Sequence, residues 1–286
     1  MGSAVDMRDV TKTFPGVVAN DHVDFTAEKG EIHGLLGENG AGKTVLMSIL
    51  YGLYRLDEGE IIIDGEEVEV DSPSTAMRLG IGMVHQHFML VPSLTVAENI
   101  ILGREPIKNG VLLDTERMLR DVGEFCDKFR LDVDLDAPIH TLSVGVQQRV
   151  EILKALYRGA NVLILDEPTA VLTPQEVDEL FKAIRALRGE GKTVIFISHK
   201  LREVLAICDR VTVLKKGRVV GTVDASETDQ GRLAEMMVGR EVVYTFDKDY
   251  CEAGEPVLVV EGLEALDDRN LQALRGVELE VCASEI

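Results

Sequence analysis

The sequence predicts an α/β protein built around a mostly parallel β-sheet, and three observations support this fold class. Short apolar runs alternate with stretches of helical periodicity, as expected for strands joined by crossover helices. Glycine is frequent, with 26 residues, tryptophan is absent and aromatic residues make up 5%, which favours many tight turns over an aromatic-rich β-sandwich. Hydrophobic residues make up 45% of the 286 positions, which is enough for a buried core.

Individual elements follow from apolar patterns and from helix-capping residues. Apolar runs flanked by turn residues predict buried strands at residues 32–36, 162–165, 193–198 and 211–214. Helical periodicity predicts helices at residues 43–51, 147–157 and 174–187. Capping boxes, in which a threonine and a glutamate three residues later cap a helix together, are predicted at Thr95 with Glu98 and at Thr173 with Glu176. Residues 215–218 predict a β-hairpin.

The pattern changes along the chain and predicts several parts. Residues from about 91 to 160 carry few strand signals and predict a helical subdomain inserted into the α/β core. Residues 277–286 parallel residues 23–32 at an offset of 254, which indicates a domain duplication; a β-rich tail with a chance likeness is the alternative. We expect a first domain at 1–243, a polar linker at 244–256 and the truncated start of a second domain at 257–286.

Charge and hydropathy limit the classes of function. Acidic residues number 50 against 30 basic ones, for a formal net charge of -20, so we expect no nucleic-acid partner. No cysteine pair has the Cys-x-x-Cys spacing, which predicts reduced thiols. From the sequence we expect no secretory leader, and no run of about 20 apolar residues predicts a membrane-spanning helix. If the protein serves a membrane, we expect it to act from the surface.

A glycine-rich segment matches the phosphate-loop pattern G-x-x-x-x-G-K-[ST] between a predicted strand and a predicted helix. Its residues are Gly37, Glu38, Asn39, Gly40, Ala41, Gly42, Lys43 and Thr44. In such a loop the backbone N–H groups and the positive end of the following helix bind phosphate. Lys43 would reach the β- and γ-phosphates, and Thr44 would coordinate Mg²⁺. A glycine-rich turn with a stray lysine is the alternative.

Two carboxylates, Asp166 and Glu167, directly follow the apolar run at 162–165. A central parallel strand is buried along nearly its whole length, so charged groups are expected only at its end. Asp166 suits Mg²⁺, and Glu167 suits a general base that polarises an attacking water. Two solvated acids at a strand end are the alternative, which the phosphate loop makes less attractive.

A third segment completes a resemblance to the ABC ATPases that covers about residues 4–240: Leu142-Ser143-Val144-Gly145-Val146-Gln147-Gln148-Arg149-Val150. The resemblance implies a P-loop NTPase core with an antiparallel β subdomain, and ATP with Mg²⁺ as ligands. It also implies that two such domains pair head to tail, in one chain or as a homodimer. Ser143 and Gly145 would then complete the partner's ATP site.

Other roles rest on this resemblance alone. Gln86 matches a glutamine that senses Mg²⁺ and couples to the membrane subunit, and His199 matches a histidine that contacts the γ-phosphate. Phe14 stands where the family stacks an aromatic ring on adenine. By itself Phe14 could be a core residue and His199 a capping or core histidine. His85 and His87 could form a metal pair, but no third ligand is in view and we expect a structural role.

Four segments narrow the resemblance to nucleoside importers and the neighbouring simple-sugar importers, whose ATPases carry two fused domains: residues 80–88, 142–145, 167–174 and 236–240. We therefore expect the ATP-hydrolysing subunit of an importer, bound peripherally at the cytoplasmic face of the cell membrane. Integral membrane permease subunits would be its partners, and an external solute-binding protein would act indirectly. Catalytic roles would fall to Glu167, His199 and Lys43, and Mg²⁺ would lie at Thr44, Gln86 and Asp166.

The sequence departs from the family pattern at four positions. Val144 and Val146 replace glycine and glutamine in the segment at 142–150, which resembles the family's signature segment. Thr173 replaces an aspartate, and Val45 replaces a small hydroxyl residue. Three other functions remain open at this point. They are a soluble ABC ATPase of the translation-factor type, a regulatory half-domain that binds nucleotide, and a P-loop kinase. A P-loop kinase would not need the signature segment or His199.

Overall fold

A computed structural model of the chain describes residues 2–86, 88–108, 112–129, 131, 133–239, 254–267 and 271–285. The chain divides into two compact units, Met1–Val242 and Val243–Ile286. Most of the predicted linker at 244–256 lies outside the described residues. Among the helices described, none has both the length and the apolar character that crossing a bilayer requires.

The first unit alternates strands and helices, as the sequence predicts. Its described strands are β1 (Ser3–Phe14), β2 (Val17–Glu28), β3 (Ile32–Leu36), β4 (Glu58–Ile63), β5 (Glu66–Val68), β6 (Ile81–Val84), β7 (Ile107–Lys108), β8 (Leu112–Leu113), β9 (Val162–Asp166), β10 (Thr193–Ser198), β11 (Arg210–Lys215) and β12 (Arg218–Asp224). Its described helices are α1 (Lys43–Leu50), α2 (Pro73–Arg78), α3 (Val96–Ile101), α4 (Thr115–Phe129), α5 (Val144–Tyr157), α6 (Pro174–Gly189), α7 (Leu201–Ile207) and α8 (Gln230–Val238).

The central sheet has the strand order β12-β11-β3-β10-β9-β6. Its neighbouring strands pair in parallel from β11 to β6, while β12 is antiparallel to β11. Every residue of β3, β9 and β10 is buried, because packed layers cover both faces of this sheet. The mostly parallel sheet is therefore confirmed, and the carboxyl ends of β3, β9 and β10 meet at one edge.

A second, antiparallel sheet has the order β2-β1-β4-β5, which confirms the expected antiparallel β subdomain. One core cluster joins this sheet and α1 to the central sheet and includes Phe25, Met47 and Ile195. The other core cluster joins the opposite face of the central sheet to the helices of the insertion and includes Ile100 and Phe196. The phosphate-loop segment thus connects a strand and a helix that are both packed into the core.

The region from about 91 to 160 is mostly helical, as predicted, and contains α3, α4 and α5. It also contains the short antiparallel pair β7–β8, whose two-residue strands are too short to leave an apolar pattern in the sequence. The side chain of Asn99 is fully buried. Its oxygen accepts from the N–H of Val91 at 2.8 Å and its amide donates to the carbonyls of Val91 and Thr95, which fixes the entry into α3.

The predicted elements are confirmed with small shifts at their ends. Helix α5 begins at Val144, earlier than predicted, because the Ser143 hydroxyl caps it by accepting from the N–H of Val146. Both capping boxes are present, so Thr173 has a structural role as the cap of α6. Lys216 and Gly217 form the turn of the predicted hairpin, between β11 and β12.

The second unit contains an antiparallel hairpin of β13 (Pro256–Leu266) and β14 (Gln272–Cys282). The strand register of this hairpin is the same as that between β1 and β2. Subtracting 253 from the residue numbers in β13 and 254 from those in β14 converts each residue pair of the hairpin into a pair between β1 and β2. The pair Val260–Leu279, for example, corresponds to Met7–Phe25. The bulge residues correspond as well, because Gly262 and Gly276 have positive φ angles like Asp9 and His22. The repeat seen in the sequence therefore extends to strand register and bulges.

Candidate active site

The phosphate loop connects the carboxyl end of β3 to α1 and is packed tightly against its neighbours. Gly42 has a φ of 101°, and a Cβ there would lie 2.3 Å from the carbonyl oxygen of Ala19. A Cβ at Gly37 would lie 2.4 Å from the carbonyl oxygen of Leu214. Only glycine fits such positions without displacing backbone, so the glycines at 42 and 37 follow from how closely β2 and β11 approach the loop.

Lys43 is 5% exposed and points back into the loop that precedes it. Its ammonium donates to the carbonyl oxygens of Gly37 at 2.7 Å and Glu38 at 3.0 Å. Burial lowers the pKa of Lys43, and the carboxylates of Glu167 and Asp166 oppose that shift. A buried cation therefore lies among the loop's backbone groups, and the hydrogen bonds that it makes to described residues go to neutral carbonyls.

Thr44 and Asp166 bring two kinds of oxygen together beside Lys43. The Thr44 hydroxyl donates to Asp166 Oδ1 at 3.4 Å, and Asp166 is 5% exposed. Burial raises the pKa of Asp166, the Thr44 hydrogen bond lowers it, and repulsion from Glu167 raises it further. Hydroxyl and carboxylate oxygens are the ligands that Mg²⁺ prefers, so this pair fits the expected metal.

Glu167 follows β9 in a backbone conformation that is rare for residues other than glycine. Its φ is 46°, and its N–H donates to the carbonyl of Ile197 at 3.1 Å. Its Oε1 lies 2.9 Å from His199 Nδ1. Left-handed backbone at a non-glycine residue costs on the order of 1 kcal/mol and is often found at functional sites. The strained turn aims the carboxylate at the histidine that follows β10.

A cleft of about 670 Å³ joins most of the predicted residues. Residues 39–44 of the phosphate loop line it together with Phe14, Gln86 and Glu167. Gly37 and Glu38 adjoin it through their carbonyls, which accept from Lys43. Asp166 and His199 adjoin it through their hydrogen bonds to Thr44 and Glu167. Phe14 is only partly buried and lies edge-on to Tyr54, with ring centroids 5.3 Å apart. Its position at the cleft, outside the buried core, favours the ligand-binding interpretation over a core role.

Ser143 and Gly145 do not line this cleft in the part of the chain that the structure describes. Both lie at the start of α5, where the Ser143 hydroxyl donates to Glu176 Oε1 at 3.0 Å and the Gly145 N–H donates to the same oxygen at 3.1 Å. The structure thus separates these two residues from the other candidates, in keeping with the expectation that they serve a partner's site.

Several residues at the cleft have no signal in the sequence. The start of β2 and the β11–β12 turn line it through Val17, Val18, Ala19, Lys216 and Gly217. The Gly217 N–H donates to the carbonyl of Ala41 at 3.0 Å, so the hairpin holds the phosphate loop. The hairpin was predictable as a turn, but its contact with a loop so distant in the chain was not.

The loop after Gln86 is anchored to the helical insertion. Glu151 and Lys154 are both buried on α5. Glu151 accepts from the N–H of Met89 at 2.5 Å, and Lys154 donates to the carbonyl of Met89 at 2.7 Å.

His85 lies edge-on to Tyr51, with ring centroids 5.9 Å apart, and both border a smaller cavity of about 210 Å³. His87 lies outside the described residues.

A phosphate loop between a parallel strand and a helix, with two carboxylates at the end of a nearby strand, defines a P-loop nucleotide-binding protein. Residues 20–170 match the family model described as ABC transporter. That match covers more than half of the chain, and the chain therefore belongs to the ABC transporter family.

Curated relatives are similar over almost the whole chain. A glucose import ATP-binding protein of Haloferax volcanii, TsgD13, is 52% identical over 98% of the chain, and a guanosine import ATP-binding protein of Bacillus subtilis, NupO, is 50% identical over 100% of it. In both cases the alignment covers 56% of the relative. The chain thus spans little more than half the length of the curated relatives it matches.

Solved structures agree with the fold. The structure of cbiO1 from Clostridium perfringens, part of the ABC transporter complex cbiONQ, has a TM-score of 0.70 at 28% identity and covers 83% of this chain and 93% of its own. A dimeric, post-hydrolysis structure of the ATP-binding cassette MJ0796 bound to ADP and Pi has a TM-score of 0.65 at 27% identity and covers 77% of this chain and 98% of its own.

Proposed function

We propose that residues 1–243 bind and hydrolyse ATP and energise an importer of nucleosides or simple sugars. The observation that carries this proposal is the pair Glu167 and His199, 2.9 Å apart beside the cleft that the phosphate loop lines. A carboxylate held there can take a proton from a water that attacks a terminal phosphate. Relatives named for glucose and guanosine import support the transport role.

In this proposal the chain's own groups bind and orient the triphosphate. The loop's backbone N–H groups and the N-terminus of α1 surround the phosphates. Lys43 exchanges the carbonyls of Gly37 and Glu38 for phosphate oxygens, which compensate its charge better than neutral acceptors do. The aromatic ring of Phe14 stacks on the adenine. The negatively charged phosphates of ATP therefore surround the buried ammonium of Lys43.

Thr44, Asp166 and Gln86 would hold Mg²⁺ in this site. When bound, Mg²⁺ neutralises charge on the phosphoryl group that is transferred. Glu167 accepts the proton of the attacking water, and His199 orients the Glu167 carboxylate and contacts the γ-phosphate. We assign the catalytic roles to Glu167, His199 and Lys43 on this basis.

Ser143 and Gly145 are proposed to complete the ATP site of a second ABC domain, in the same chain or in a homodimer. Their position at the start of α5, apart from their own cleft, supports this arrangement. The dimeric state of the MJ0796 cassette, which is 27% identical, supports it as well.

We further propose that residues 257–286 begin a second domain of the same fold, joined by a linker at 244–256. The matching register of β13–β14 and β1–β2 supports this interpretation. Apolar residues of the hairpin also match core positions, because Leu263 and Val277 correspond to Val10 and Val23, both fully buried in the first unit.

The proposed partners are integral membrane permease subunits, with an external solute-binding protein acting indirectly. We place the protein peripherally at the cytoplasmic face of the membrane, and its net charge of -20 disfavours nucleic acid. The cavity beside His85 and Met89 adjoins the Gln86 loop, which makes it a suitable contact for a permease. A translation-factor role would instead predict co-sedimentation with ribosomes, and co-purification with permease subunits decides between the two.

Titration of the chain with a fluorescent ATP analogue tests the nucleotide site. Lys43→Ala should weaken binding at least about a hundredfold, because a hydrogen-bonded ion pair with phosphate is worth several kcal/mol in a buried setting. Lys182→Ala is the matched control, since Lys182 is an exposed lysine paired with Glu179 on α6. Equal affinity in Lys43→Ala and Lys182→Ala would refute the proposed site.

A further inference from the structure

The carboxylate of Glu176 bridges two helices with its two oxygens. Oε2 accepts from the N–H and the hydroxyl of Thr173, at 3.0 and 3.1 Å, at the start of its own helix α6. Oε1 accepts from the Ser143 hydroxyl at 3.0 Å and from the Gly145 N–H at 3.1 Å, at the start of α5. One acidic side chain therefore holds the two donors that are proposed to meet a partner's γ-phosphate.

Helix capping accounts for only one of these oxygens. In the capping box of α3, a single oxygen of Glu98 accepts from the N–H of Thr95 at 2.8 Å, and the equivalent contact in α6 uses Oε2 of Glu176. Nothing in the capping motif requires the second oxygen to reach another helix. The contact with α5 is thus a separate feature of this chain.

The side chain of Glu176 is also packed into place. A Cβ at Gly145 would lie 2.6 Å from Glu176 Oε1 and 2.7 Å from its Cγ, so residue 145 must be glycine for Glu176 to lie there. The hydrogen bond from the Thr173 N–H, with further bonds from Ser143, Thr173 and Gly145, keeps the pKa of Glu176 below its usual range. Glu176 therefore carries a negative charge at neutral pH.

We propose that Glu176 is an internal competitor of the γ-phosphate for Ser143 and Gly145, and that it must release them before two ABC domains can pair around ATP. The inference rests on the proposed role of these two residues in a partner's site. The Ser143 hydroxyl and the Gly145 N–H each have one proton to donate, so a phosphate oxygen can gain these hydrogen bonds only as Oε1 loses them.

Like charge adds to this competition, because a carboxylate left beside the arriving phosphate repels it. As a consequence, two ABC domains pair more weakly around ATP than they would if Ser143 and Gly145 had no competing acceptor. After hydrolysis, when the γ-phosphate is gone, Glu176 takes the donors back and favours separation of the domains. Glu176 thus sets how easily the proposed pair opens.

The test measures ATP-dependent self-association of the 286-residue chain by sedimentation velocity. The parent carries Glu167→Gln so that ATP stays intact, and each further variant is compared with this parent. Glu176→Gln removes the charge but keeps the helix cap, because glutamine also serves in the capping box. We expect the dissociation constant for pairing to fall about tenfold. Glu179→Gln is the control, because it makes the same change on the same helix at a residue paired with Lys182. It should change the dissociation constant for pairing less than about twofold.

Glu176→Ala is a second variant that removes the competitor together with half of the cap. It should also pair more tightly than the parent, although its melting temperature falls, and a purely structural role of Glu176 predicts weaker pairing instead. Unchanged or weaker pairing in both Glu176 variants, while the parent pairs with ATP, would overturn this inference and leave the proposed function intact. If the parent and all variants fail to self-associate in the presence of ATP, the proposed role of Ser143 and Gly145 in a partner's site is wrong, and this inference fails with it.

Discussion

Replacing Glu167 by glutamine should stop hydrolysis while ATP binding persists. Glutamine has the same shape, and its amide can keep the contact with His199 Nδ1 that Glu167 Oε1 makes at 2.9 Å. The change therefore removes the negative charge of the carboxylate and with it the ability to accept a proton. General-base catalysis contributes about 10²- to 10⁴-fold, which corresponds to roughly 3–5.5 kcal/mol of the activation barrier. We expect the hydrolysis rate to fall by that factor and the ATP dissociation constant to change less than about threefold.

The assay is steady-state phosphate release by the full-length assembly with its permease, beside equilibrium titration with an ATP analogue. Glu190→Gln is the matched control, because Glu190 is an exposed glutamate at the end of α6, and it should keep the parent rate. A Glu167→Gln assembly that hydrolyses ATP at the parent rate would show that another group accepts the proton, and the assignment of the base would be refuted. A parallel loss of ATP affinity would show that Glu167 acts in binding.

Two further predictions concern the loop and the pH dependence of stability. Gly42→Ala should weaken ATP binding at least about tenfold more than Gly40→Ala. Both residues have positive φ angles, but a Cβ at Gly42 would lie 2.3 Å from the Ala19 carbonyl whereas a Cβ at Gly40 meets nothing within 4 Å; equal affinities of the two variants would contradict this packing argument. For Glu31, burial raises the pKa, but the hydrogen bonds from His33 and from the Glu28 N–H outweigh it and lower the pKa from its ordinary value of 4.5. The stability that Glu31 supplies is therefore present above that value and is lost as the pH falls through the lowered pKa of the folded state. Urea unfolding should show the parent to be more stable than Glu31→Gln at pH 7, with a difference that shrinks below about pH 4.5, and a difference independent of pH would refute the assignment.

Local sequence determined the features that depend on residues a few positions apart. The phosphate loop, the acidic pair after β9 and both capping boxes were predictable because each is defined by spacings of up to eight residues. The buried strands were predictable because a strand covered on both faces must be apolar along its length. The sequence resemblance between residues 23–32 and 277–286 was visible in the same way.

Only the tertiary structure decided which of these segments meet. The start of β2 and the β11–β12 turn enclose the phosphate loop through backbone hydrogen bonds and close packing, which residues of many types can make. Glu176 caps α6 as its sequence predicts, but its second oxygen reaches Ser143 across 33 positions of the chain. Contacts of this kind depend on how α5 and α6 pack on the sheet, and no short sequence pattern encodes that distance. The left-handed turn at Glu167 likewise arises from the surroundings that hold it, since a glutamate has no intrinsic preference for such a backbone.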